Sequence, residues 1–264
     1  MSESMILTRK ESGAFIITLN RPEKRNAMPI EMMWEIGAAL EEAAADRSSR
    51  AVIIHGEGKC FSAGIDVNSL AGIGQLVDAQ PQFRSLLSRM QGVFNSMEAI
   101  EKPVIAAIHS LCIGMGLELA LAADFRIATE GTKFAIPEAE FGLIPDVGGT
   151  SRLTRLVGSS YAKELIMMCR RIDERKALRI GLINEIVPPD KLMETAMQWV
   201  ADLQTTAPLA VGMAKKIINR GAQLDPLTFQ ELEAYAQSTL LKTDDVREGL
   251  MSKLQKRKPE FKGK

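Results

Sequence analysis

PVIAAIHSLCIGMGLELALAAD, from Pro103 to Asp124, is the stretch that decides how this chain folds. Nearly all of it is apolar, yet Glu118 lies well inside the run, just after the Gly114-Met115-Gly116 triplet. A run of this length and apolarity could cross a bilayer. Pro103, His109, Ser110, Glu118 and two mid-run glycines argue against that, because an acid at mid-membrane is costly to insert. The stretch divides instead into a strand and a helix. Residues 103–109 have strand composition, and their unbroken apolarity suits a strand covered on both faces. Residues 110–116 read as a glycine-bearing turn, and 117–123 as a helix too apolar to lie on a surface.

A turn feeding a helix leaves backbone amides unpaired at the helix start, pointing at whatever sits above them. Gly114 and Gly116 carry no side chain to keep a bound group away. The sequence therefore places exposed amides within one helical turn of a buried acid. That is an oxyanion binder beside a proton-transfer group. The alternative is that Glu118 is a buried acid neutralised by an arginine or lysine, as buried glutamates usually are.

Outward from this stretch, the chain alternates strands and helices. Residues 14–20 and 51–55 read as strands, and Pro29 opens a helix to about Ala45 that presents Met32, Met33, Ile36 and Leu40 on one face. Residues 70–74 read as a Gly-rich, mobile segment before a helical region over 78–100. Residues 124–129 and 133–136 are short strands, 137–149 a loop, and the chain beyond Thr150 is mainly helical, with an extended piece at 182–187. Pro208 and Pro226 each restart a helix, the second capped by Asp225. The pattern is α/β with a helical C-terminal appendage. With 264 residues, 46% of them hydrophobic, the chain can bury one large core.

Lysine plus arginine and aspartate plus glutamate both number 33, so no net charge draws nucleic acid or anionic lipid. The N-terminus lacks the basic and apolar blocks of a secretory signal. Three scattered cysteines without a CxxC make neither a disulfide framework nor a zinc site, which points to the cytoplasm. Gly56-Glu57-Gly58-Lys59 is not a P-loop, and Leu119 stands where a dinucleotide fingerprint needs its third glycine. A Cys–His nucleophile from Cys112 and His109 is conceivable, though a Cys in such surroundings is usually packing. What remains is a second glycine turn, residues 59–66, that also follows a strand. Two amides from different turns can grip one carbonyl oxygen, each contributing about 3 kcal/mol to an enolate.

Phe61-Ser62-Ala63-Gly64-Ile65-Asp66, Gly114-Met115-Gly116-Leu117-Glu118-Leu119-Ala120 with Asp124, and Pro137-Glu138 through Phe141-Gly142-Leu143-Ile144-Pro145-Asp146-Val147-Gly148-Gly149-Thr150 resemble the crotonase, or enoyl-CoA hydratase/isomerase, superfamily. The resemblance implies a spiral of ββα units over residues 1–200. A C-terminal helical region, 201–264, would assemble trimers or dimers of trimers and cover the active site. It implies an acyl-CoA substrate and no metal or separate cofactor, coenzyme A being part of the substrate. Carried over position by position, the amides of Ala63 and Met115 form the oxyanion hole. Glu118 orients and deprotonates a water, and Glu138 delivers a proton to Cα of a 2-trans-enoyl thioester. Ser62, Gly64, Ile65, Asp66, Gly114, Pro137 and Asp146 line the substrate. Lys24, Arg25 and Ala27 follow the first strand where the family meets the phosphates of coenzyme A, although the two cations could equally be ordinary solvated charges.

Met115 replaces the middle glycine common in the family, and its side chain narrows the pocket. Asp146, eight residues after Glu138, also resembles the dienoyl-CoA isomerases, so a double-bond isomerase is the nearest alternative to a hydratase. A further branch resembles RNA binders. Only Lys215-Lys216 and Lys256-Arg257-Lys258 support that here, against zero net charge.

Overall fold

The computed structural model describes residues 4–74, 80–221 and 224–264, so the helix start expected at Asp78 lies outside the described residues. The chain opens with a hairpin of β1 (Ile6–Glu11) and β2 (Ala14–Leu19). Its two-residue turn, Ser12-Gly13, has φ of 44° and 82°, the paired left-handed geometry that suits the twist of a hairpin. Next come α1 (Ile30–Ala45), β3 (Ala51–Gly56), α2 (Val67–Gly74) and α3 (Gln80–Ala99). The segment expected to be mobile at 70–74 is thus the end of a helix. Asp66 begins it by accepting from the Asn68 amide at 3.0 Å.

The opening stretch folds as β4 (Val104–Ile108), β5 (Leu111–Ile113) and α4 (Met115–Ala122). The turn read over 110–116 therefore contains a short strand. β6 (Phe125–Thr129), β7 (Lys133–Ala135) and α5 (Gly149–Met167) follow, then β8 (Ile172–Asp173), α6 (Glu174–Arg179), β9 (Glu185–Val187) and α7 (Leu192–Gln204). The chain ends in α8 (Pro208–Gly221), α9 (Pro226–Leu240) and α10 (Asp244–Leu254).

Among the described residues the strands form two sheets. One runs β1-β2-β3-β4-β6-β9, parallel except for the β1–β2 pair; the other runs β5-β7-β8. In β4–β5–α4 and again in β6–β7–α5, the first strand joins the large sheet, the second the small one, and a helix returns. This repeat is the spiral of ββα units. Every residue of β2 and β4 is buried. Phe15, Ile17, Val104 and Ala106 face the core shared with α1, α3 and α4. Ala14, Ile16, Ile105 and Ala107 face the opposite layer, which Ala196 and Val200 of α7 complete. Strands sandwiched in this way have no solvent face, which explains their unbroken apolarity.

The domain boundary expected after residue 200 falls inside α7; the helices beyond it begin at α8. Lys215 ties α8 to the core by an ion pair with Asp124 at 2.7 Å and bonds to the carbonyls of Met97 and Lys102. No helix among the described residues is long and apolar enough to cross a membrane.

Candidate active site

Two turns meet above the N-terminus of α4. Ser62 bridges Cys112: its amide donates to the Leu111 carbonyl and its carbonyl accepts from Ile113, both at 3.1 Å. The bridge draws the 59–66 turn onto the 110–116 turn so tightly that only glycine fits at two points. A methyl on Gly64 would stand 2.9 Å from the Ile113 carbonyl oxygen, and one on Gly116 2.7 Å from Cβ of Ser62. Gly64 also has φ of 101°.

This contact fixes which amides are free, and it corrects one expectation. The Ala63 amide donates to the Arg25 carbonyl at 2.9 Å, so it does not serve an oxyanion. Met28 pairs with Ile65, receiving Asp66's amide and donating to Gly64's carbonyl. In an extended chain successive amides point opposite ways, so the Ile65 amide faces away from Met28. It has no hydrogen-bond partner among the described residues, nor does the Met115 amide in the first turn of α4. Position 64 lies beside that helix start, since a methyl there would be 3.6 Å from the Met115 nitrogen. Ile65 and Met115 thus present the two unpartnered amides where the turns meet.

Beside these amides stand three carboxyl groups. Glu118 is 2% exposed, and its Oε1 accepts from the amides of Val147 at 3.1 Å and Gly149 at 2.8 Å. Among the described residues it pairs with no cation, so neutralisation by an arginine or lysine is not its role. Glu138 opens a short 3-10 turn against Gly114, where an added methyl would lie 2.8 Å from its Oε1. Its Oε2 is buried without a hydrogen-bond partner among the described residues. Asp146 is held from behind, its carbonyl accepting from Gln91 at 2.7 Å.

Burial, then the nearby charge of Glu138, pushes the Glu118 carboxyl up to about 8; the Gly149 and Val147 amides pull it back. Burial also raises Glu138 and Asp146. The charge of Glu138 acting on Glu118 makes the two titrate as a pair, whose last proton is held up to about 8. Hydrogen bonding sets where it rests. Glu118 has two amides to hold a charge; Glu138 Oε2 has none.

A model of the enoyl-CoA hydratase/isomerase family matches residues 9–264. The chain belongs to the enoyl-CoA hydratase/isomerase family. It is 36% identical to a short-chain-enoyl-CoA hydratase of Clostridium acetobutylicum over 98% of both chains. It is likewise 36% identical to a crotonyl-CoA hydratase of Syntrophomonas wolfei over 99% of both. The crystal structure of an enoyl-CoA hydratase from Bacillus anthracis superposes with a TM-score of 0.92 at 35% identity, over 98% of this chain and all of that one.

Around this enoyl-CoA hydratase/isomerase site, the other expected residues fall into two groups. Pro137 and Gly114 lie beside the carboxyl pair, a methyl on Gly114 standing 3.9 Å from Cδ of Pro137. Lys24 and Arg25 are exposed at the end of the turn after β2, and neither forms an ion pair among the described residues. Ala27 accepts from Arg21, which also pairs with Asp66 at 2.9 Å; that bond holds the Asp66 carboxyl below its usual range. Asp66 thereby locks the turn rather than facing a substrate with a free charge. A cavity of about 550 Å³ opens beside it, lined by Pro29, Glu31, Asn68 and Leu86 among others.

Cys112 is no nucleophile: it is wholly buried, burial pushes its thiol well above the usual value, and His109 turns its Nε2 to the Gly58 carbonyl. The RNA-binding features are engaged elsewhere, with Lys215 buried and Arg257 paired to Glu248. Sequence reading missed Asn26. This buried side chain bonds the carbonyls of Glu57 and Cys60 and pins the basic turn to the oxyanion turn. An asparagine after two cations gives no signal of that.

Proposed function

We propose that the protein is an enoyl-CoA hydratase that adds water syn across the double bond of 2-trans-enoyl-CoA thioesters. The observation that carries the reading is the pair of free amides, Ile65 and Met115, beside two buried glutamates, the charge of one acting on the other. The amides take the thioester oxygen and the charge it gains as the enolate forms. Glu118 accepts a proton from the water, whose oxygen bonds Cβ. Glu138 releases its proton to Cα, and its unpartnered Oε2 suits an acid waiting to donate. The reaction is redox-neutral, which supports a site that needs no cofactor beyond the coenzyme A of its substrate. Lys24 and Arg25 are placed to meet the phosphates of that group.

A second reading, double-bond migration, is favoured by Asp146, a third acid whose charge both glutamates feel. The test is the absorbance of the conjugated thioester of crotonyl-CoA. The hydratase reading expects its loss on adding enzyme; no loss, with migration in a β,γ-enoyl-CoA or dienoyl-CoA, overturns it.

The reading extends to assembly, place and pathway. α9 buries none of its residues and leaves Leu227 and Tyr235 bare, and α10 leaves Leu250 and Leu254 bare. These faces support a trimer or dimer of trimers. Sedimentation should show three or six chains, and a monomer at working concentration removes that part. Three free thiols support a reducing compartment, the cytoplasm. There the enzyme would serve acyl-CoA breakdown.

A further inference from the structure

Arg152, near the start of α5, is 5% exposed. Its guanidinium is fully directed. Nη1 donates to the Val147 carbonyl at 3.0 Å, Nε and Nη2 donate to the two oxygens of Glu98 at 3.1 Å each, and Nη2 reaches Asn95 Oδ1 at 2.6 Å. Its backbone amide donates to the Gly148 carbonyl at 2.9 Å. Arg152 therefore grips both carbonyls of the turn whose amides, those of Val147 and Gly149, end on Oε1 of Glu118. Glu98 and Asn95, both on α3, hold the fork from the far side.

We propose that Arg152 is a positioning residue. By fixing the 147–149 turn it keeps two amides on one oxygen of Glu118 and leaves the other oxygen to the water. A lone cation in this place would serve Glu118 by charge; Arg152 spends its charge on Glu98 and serves through geometry. The fork shape matters, because the three donors of a lysine's single nitrogen cannot take both oxygens of Glu98 side by side and still reach Val147 and Asn95. The inference rests on Glu118 acting in the reaction.

The charged groups around Glu118 are few. Glu138 and Asp146 face it from the loop before α5, and Arg152 with Glu98 stands behind that loop. Arg126 of β6 lies at the opposite end of α4, donating to the Ala123 carbonyl at 2.6 Å. If the turn loosens, Glu118 loses donors that favour its charged form while its acidic neighbours remain. Its proton then binds more tightly.

The experiment compares Arg152→Lys, Arg152→Gln and Glu98→Gln with wild type in the full chain. Two readouts are used: kcat/KM for crotonyl-CoA against pH, and melting temperature against pH. The expected result is a fall in kcat of roughly 10-fold to 100-fold, with KM little changed. Both limbs of the pH profile should move up by about half a unit or more in Arg152→Gln, and less in Arg152→Lys and Glu98→Gln. The same displacement should appear in the pH dependence of melting. If Arg152→Gln fails to fold, the other two variants decide alone. Lowered rates with unmoved limbs in every folded variant overturn the proposal and leave Arg152 a packing residue. Failure of the parent reading looks different, because wild type itself would not hydrate crotonyl-CoA while the melting readout would still report on Glu118.

Discussion

Glu118→Gln is expected to lower hydration by roughly 10³-fold and, at the same time, to stabilise the folded chain above about pH 5. The rate effect follows from removing the group that takes the proton from water. The stability effect follows from where that group sits. In the unfolded chain an exposed glutamate titrates near 4.5, and in the folded chain the last proton of the Glu118–Glu138 pair leaves at about 8. Between those values the folded state holds a proton that the unfolded state releases, so folding stability falls as pH rises. The penalty is absent below 4.5, grows through neutrality and levels off above 8, with a ceiling of about 5 kcal/mol. Glutamine escapes it, and its carbonyl oxygen still accepts the Val147 and Gly149 amides. Melting temperatures of both proteins from about pH 5 to pH 9 read the effect. A gap that does not widen with pH, or a variant of undiminished activity, removes Glu118 from its assigned place.

That trade between stability and chemistry was half visible in the sequence. A carboxylate inside an apolar run has to be partnered or functional, and Glu118 stood out for that reason alone. The sandwiched strand before it was legible too, because a strand covered on both faces cannot alternate. β1 was not legible: with the burial pattern of an exposed edge, ILTRKE shows no apolar alternation, and its pairing is set by the left-handed Ser12-Gly13 turn. The oxyanion donors show a finer limit. Ala63 and Ile65 are both plausible amides in one turn. Which is free depends on the 25–28 segment lying alongside and taking every second hydrogen bond, a tertiary fact. Arg152 was invisible for a related reason. An arginine within Thr-Ser-Arg-Leu on a helix reads as a solvated charge until burial against Glu98 is known.

Glu138→Gln should cut hydration by roughly 10²-fold to 10³-fold, and it should also change the shape of the pH profile. In wild type the active form is the pair with one proton. Below its range the pair takes up a second proton and the base is lost; as pH rises through about 8 the last proton leaves and the acid is lost. A bell with its alkaline limb near 8 follows. Much of the upward push on Glu118 comes from burial, but the next contribution is the charge of Glu138. Glutamine at 138 removes that charge. Glu118 then ionises without it, and the residual activity no longer depends on a proton kept at residue 138. The acid limb should hold its place, since Glu138 is already uncharged there, and the alkaline limb should disappear. Profiles of kcat/KM from about pH 5 to pH 10 for wild type and variant make the comparison. An alkaline limb that persists unmoved in the variant would show that the proton lost near 8 belongs to another group. Asp146 is then the candidate, and proton traffic along three acids would favour double-bond migration over hydration. The variant therefore separates the two chemistries this arrangement of carboxyl groups could support.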